Sequence, residues 1–127
     1  MTYVYECNPE GGGSFMDWIV GESLESKTLV CLNPFGKWVK TNKLNIVDKP
    51  LLGISIGKIF GGKKGRIFLN GFIGNQNWRF TPNKNLFIGD EDGSISQIDY
   101  YNTSYRVGVA FTVNVIYFNP MVLPPNK

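Results

Sequence analysis

Two stretches of this chain carry residue types that could do chemistry. Gly57-Lys58-Ile59-Phe60-Gly61-Gly62-Lys63-Lys64 has the G-x-x-x-x-G-K spacing of a phosphate-binding loop. Such a loop works because backbone amides at the start of a helix cradle the phosphates, while a Ser or Thr after the lysine holds magnesium. Here Lys64 stands in the hydroxyl's place, and the residues that follow alternate like a strand. The stretch therefore reads as a hairpin turn. Asp90-Glu91-Asp92-Gly93 groups three carboxylates, the donor type that calcium takes. An EF-hand loop needs glycine at its sixth position and glutamate at its twelfth, and neither is present, so this too reads as a tight turn. No metal and no cofactor is expected.

The rest of the chemical inventory points away from catalysis. The chain has no histidine, which removes Ser-His-Asp and Cys-His catalysis and the usual zinc sites. Cys7 and Cys31 lack a CxxC spacing, and Cys31 lies in the apolar run Leu29-Val30-Cys31-Leu32, so free thiols are expected, with Cys31 buried. The ten acids are mostly isolated in sequence. The reading is that the protein is not an enzyme. A net charge of +3, with one basic cluster at Lys63, Lys64 and Arg66, falls short of the stripe that nucleic-acid binding requires. No nucleic-acid partner is expected. There is no secretory leader and no apolar run of bilayer length, so a membrane is not expected either, and the chain reads as made in a cytosol. Trp18, Trp38, Trp78, nine Phe and six Tyr could build a sugar platform, but aromatics on strands more often fill a core or a subunit interface.

The elements that must position these residues are strands. Fifteen glycines and seven prolines with only 18% charged residues describe short strands joined by many turns, and 127 residues with 43% hydrophobic content suffice for one core. Over 105–117 the odd positions, Tyr105, Val107, Val109, Phe111, Val113, Val115 and Tyr117, alternate with a second set. Period two predicts strand, with the odd set on the core face and a bend near Phe111-Thr112. Leu52, Ile54 and Ile56, then Gly61-Gly62-Lys63-Lys64-Gly65, then Ile67, Leu69, Gly71 and Ile73 predict a β-hairpin. A second hairpin is predicted over 85–98, and a turn at Asn33-Pro34-Phe35-Gly36. The expected fold is all-β, an antiparallel β-sandwich or small β-barrel. Its domain spans 15–119, between a flexible N-terminal arm (1–14) hinged at Gly11-Gly12-Gly13 and a Pro-rich tail (120–127) that leaves the sheet. Aromatic residues beside a glycine joint suit a partner surface, so Tyr3, Tyr5, Phe15 and Trp18 are the candidate partner contacts. The alternative is that residues 2–7 form the first strand of the protein's own sheet.

The order of these pieces resembles a known module. Leu29-Val30, the Gly36 turn and Lys37-Trp38-Val39-Lys40 are followed by Leu52-Gly53-Ile54-Ser55, then by Gly62 and Gly65 before Ile67. Leu69-Asn70-Gly71-Phe72, Trp78, Phe80-Thr81-Pro82-Asn83 and Leu86-Phe87-Ile88 come next. Asp92-Gly93-Ser94-Ile95-Ser96 and Arg106-Val107-Gly108-Val109-Ala110 close the series. The order is similar to the β-module of tailed-bacteriophage head-decoration proteins, head fibres and tail fibres. It departs from that pattern at Asn83, where the module has a turn glycine, and at Phe87, where it favours tyrosine. The resemblance implies a structural virion protein, often a homotrimer, that is assembled in the host cytoplasm. A chain with its own initiating methionine and no shaft or coiled coil suggests a capsid decoration or head-accessory protein, with the major capsid protein as a partner. The alternative is a tail-fibre or receptor-binding tip for a host-surface glycan, which an exposed aromatic pair in a groove would favour.

Overall fold

The structure is a computed structural model that describes residues 13–124. Among those residues nine strands form and no helix does. They are β1 (Ser14–Ile19), β2 (Leu29–Leu32), β3 (Trp38–Lys40), β4 (Leu52–Ile56), β5 (Lys64–Gly74), β6 (Asn85–Ile88), β7 (Ile95–Ser96), β8 (Tyr105–Ala110) and β9 (Val115–Val122). All named pairings are antiparallel, in the order β3-β2-β4-β5-β9-β8-β6-β7, with β1 beside β5. The sheet curls into a half-barrel, so the all-β, sandwich-or-barrel expectation holds. Both predicted hairpins are present, β4–β5 and β6–β7, and so is the Asn33–Gly36 turn, closed by Gly36 N–H donating to the Asn33 carbonyl at 3.0 Å.

The long strand β5 makes the curl. Its first half pairs with β1 and β4, and its last four residues, Gly71 to Gly74, pair with β9. Phe68 and Ile73 both enter the same core although they stand an odd number of residues apart. A regular strand would put them on opposite faces, so the pleat must slip between them. Gly71 takes a φ of +129° in that interval, a backbone state that residues with a Cβ rarely adopt. The core then collects side chains from both halves: Leu29, Cys31, Leu52, Ile54 and Phe68 from one, Ile73, Leu86, Val107, Ile116 and Phe118 from the other. The Phe68 and Phe118 rings tilt together at 6.2 Å. On the back of the first half, Val20, Leu24, Val30, Trp38, Ile59 and Ile67 form a second, smaller core.

Three expectations are corrected. The break expected near Phe111-Thr112 is not a bend but the turn, 111–114, of the hairpin β8–β9. Its odd positions do not share one face. Tyr105 and Val107 are buried, but the pairing slips between Arg106 and Gly108, after which Ala110, Ile116 and Phe118 point inward and Val109 outward. Finally, the sheet does not end at Pro120, since β9 continues to Val122, with Met121 opposite Arg106 and Val122 opposite Tyr105. Pro120 fits because it falls within the slip, where a missing N–H costs no regular ladder bond. At the other end, β1 already begins at Ser14. The remainder of the arm, 1–12, lies outside the described residues, as do Tyr3, Tyr5, Cys7 and 125–127.

Candidate docking surface

The slip in β8 creates the most distinctive surface of the molecule. Gly108 is buried, and a Cβ there would press into the carbonyl oxygen of Tyr117 on β9. Glycine thus lets the two strands close up while the phase changes. The change turns Val109 to the outer face, beside Phe72 of β5 and Tyr117 of β9. The 111–114 turn is held by Phe111 N–H donating to the Val115 carbonyl (2.9 Å) and Val115 N–H donating to Thr112 Oγ1 (3.0 Å). This places the Phe111 ring edge-on to Phe72, with centroids 5.1 Å apart, while the Tyr117 ring lies 5.0 Å from that of Phe72. The loop before β6 forms the remaining wall. Asn83 takes φ +65° and donates its N–H to the Ala110 carbonyl at 2.7 Å. The result is a groove of about 390 Å³ lined by Phe72, Pro82, Asn83, Val109, Ala110, Phe111 and Tyr117. Phe72 and Phe111 are 52% and 55% exposed, unusually open for rings that already pack on each other.

The segments that build the groove carry charge of one sign only. Residues 71–88 and 100–124 contain Arg79, Lys84 and Arg106 and not one Asp or Glu. Lys84 adjoins Asn83 and is exposed. Arg106 stands on the outer face of β8, opposite Met121, and its buried Nε has no hydrogen-bond partner. The acids Asp90 and Asp92 instead border a separate cleft with Asn42, Lys43, Leu44 and Tyr101. Among the described residues, no three His, Cys, Asp or Glu gather to hold a metal ion. The 57–64 stretch runs through a turn into β5, with Lys63, Lys64 and Arg66 all exposed.

Phe15 and Trp18 lie on β1, paired with Phe68 and Gly65 of β5. They are three residues apart on one strand, so the structure puts them on opposite faces rather than together. The Arg66 guanidinium sits 4.1 Å over the Phe15 ring and also meets Asp17 at 3.1 Å. Trp18 Nε1 donates to the Gly36 carbonyl at 2.7 Å, and the ring walls a cleft of about 290 Å³ with Met16, Leu32, Gly36, Trp38 and Leu51. The groove residues Phe72, Phe111 and Tyr117 were not among the candidates from sequence. Alternation alone puts Phe111 and Tyr117 with the odd positions on the core face, and the signal that could separate them is Gly108 in the middle of the alternation. Cys31 is buried as expected, and burial, with Glu22 adding to it, pushes its thiol up to about 11. Burial also raises the Tyr105 hydroxyl, which donates to the Pro50 carbonyl. Compared with known proteins, the chain matches no family model, no curated protein and no solved structure.

Proposed function

We propose that this is a structural bacteriophage virion protein, a capsid decoration or head-accessory module that docks on neighbouring virion subunits. The observation that carries the docking part is the open aromatic groove of Phe72, Phe111 and Tyr117 on a sheet face that nothing in the chain covers among the described residues. Exposed apolar clusters of this kind mark partner surfaces, and buried aromatics dominate the binding energy of such surfaces. The virion part rests on the order of sequence pieces described above. The test is antibody labelling and mass spectrometry of gradient-purified particles. Labelling over the head is expected; absence from every particle fraction overturns the reading.

The same groove favours a second reading, a receptor-binding tip for glycan, because it presents an aromatic pair that a sugar ring could stack on. Sugar recognition also needs several hydrogen-bonding groups to fix orientation. The lining offers the Asn83 amide and the Tyr117 hydroxyl among otherwise apolar side chains, which suits a protein surface better. Saturable binding on a glycan array that Phe111→Ala abolishes would reverse this preference.

A further inference from the structure

The groove's chemistry can be compared with the only long segment of chain outside the described residues, 1–12 at the N-terminus. That segment reads Met-Thr-Tyr-Val-Tyr-Glu-Cys-Asn-Pro-Glu-Gly-Gly: two tyrosines around a valine, two glutamates and no Lys or Arg. The groove is its complement, an aromatic slot with Arg79, Lys84 and Arg106 nearby in sequence and no carboxylate in the strands that build it. Tyrosine on Phe72 and Phe111 gives the offset or edge-on ring contacts that aromatic clusters favour. A glutamate beside it would meet Lys84 or the half-buried Arg106, whose Nε lacks a partner.

Direction and length select the occupant. Strand β1 runs antiparallel to β5 with Ser14 opposite Asn70, so the arm joins β1 at the end of β5 that carries Phe72. Seven residues lie between Glu6 and Ser14, eight Cα steps with an extended reach of at most roughly 26–29 Å, enough for Tyr3 to Glu6 to reach a groove on another copy. We propose that residues 3–6 of one copy, Tyr3-Val4-Tyr5-Glu6, seat in the Phe72–Phe111–Tyr117 groove of a neighbouring copy, with Glu6 paired to Lys84 or Arg106. Successive arms then link copies of the module head to tail, and a closed ring such as a trimer satisfies every arm and every groove. This rests on the reading of that face as a docking surface, but not on the virion assignment.

The experiment is sedimentation of the full chain across a concentration series, with a synthetic peptide of residues 1–10 as competitor. Association that the peptide reverses is expected. Tyr5→Ser and Phe111→Lys, at an arm position and at an exposed groove position, should each weaken association about tenfold or more with the melting temperature unchanged. Lys84→Glu should weaken it, and Glu6→Lys in the same chain should restore it. A chain that is monomeric at every concentration, association that neither substitution changes, or peptide that fails to compete would each overturn the proposal. Loss of the virion assignment would show instead in particle labelling, with association in solution intact.

Discussion

At the residue scale, β8 offers a sharp contrast between neighbours. Val107 is fully buried in the main core, whereas Val109 faces the open groove. Val107→Asp buries a charge without a partner and should cost about 3 kcal/mol or more, a large share of the stability of a small domain. Val109→Asp should leave the melting temperature nearly unchanged and reduce docking instead. Thermal denaturation of the pair checks this, and equal destabilisation would show that both side chains are internal. Cys31 makes a second residue-scale prediction. Its thiol holds its proton to about pH 11 in the folded protein but to about 9 when unfolded. Between those values the unfolded chain has released a proton that the folded one keeps, so stability falls as pH rises. The loss should be on the order of 2–3 kcal/mol by pH 11, and Cys31→Ala should lack this component in urea unfolding followed from pH 8 to 11. Below pH 9 the two curves should run parallel.

At the element scale, the β8–β9 hairpin is the hinge between core and surface. Gly108 has the Tyr117 carbonyl where a side chain would begin, and the obstacle is backbone, which cannot rotate aside. Gly108→Ala should therefore cost roughly 2–4 kcal/mol, in the upper range for point substitutions. It should also disturb the Phe111 and Tyr117 resonances even though neither residue is altered. The end of β9 makes a related point. Removing 123–127 leaves the Met121 and Val122 pairings intact and should be tolerated, whereas truncation before Pro120 strips the partners of Tyr105 and Arg106 and should lower the melting temperature by several degrees. Equal melting temperatures for the two truncations would mean that the last residues of β9 contribute nothing to the sheet.

At the scale of the whole molecule, two half-sheets share one strand and close over the main core, and one outer face is left uncovered among the described residues. A domain that hides its inner face but presents linked aromatic rings outside has unspent apolar surface, and association is the ordinary way to cover it. Deleting residues 1–13 should separate folding from assembly, because among the described residues every β1–β5 pairing begins at Ser14 or later. The truncated chain should keep the melting temperature and the strand signature of the full one while losing self-association. If it fails to fold, the segment belongs to the protein's own architecture, as the alternative of a first strand over 2–7 would have it.

Much of the fold was legible in the chain alone, because period-two alternation and turn chemistry are local. The alternating runs of 52–56 and 67–73 on either side of Gly61-Gly62 can pair only through a short connection, and Asn33-Pro34-Phe35-Gly36 carries its own turn geometry. Burial of Cys31 followed in the same way from an unbroken apolar run. The facing of Val109, Phe111 and Tyr117 was not legible, because an alternation pattern fixes which residues share a face only while the pairing stays in register. One slipped residue between Arg106 and Gly108 turns Val109 and Tyr117 outward, and that slip is set by the approach of β9's backbone, a contact between strands rather than a property of either. Likewise Pro120 reads as a stop in sequence and becomes a strand residue only because the slip falls beside it. Spacings a few residues long were enough to specify a turn-rich antiparallel β-protein, but not that its apolar residues divide between a main core and a smaller one behind it. Only the tertiary structure decided which aromatics the core left outside, because that depends on where two distant strands fall out of step.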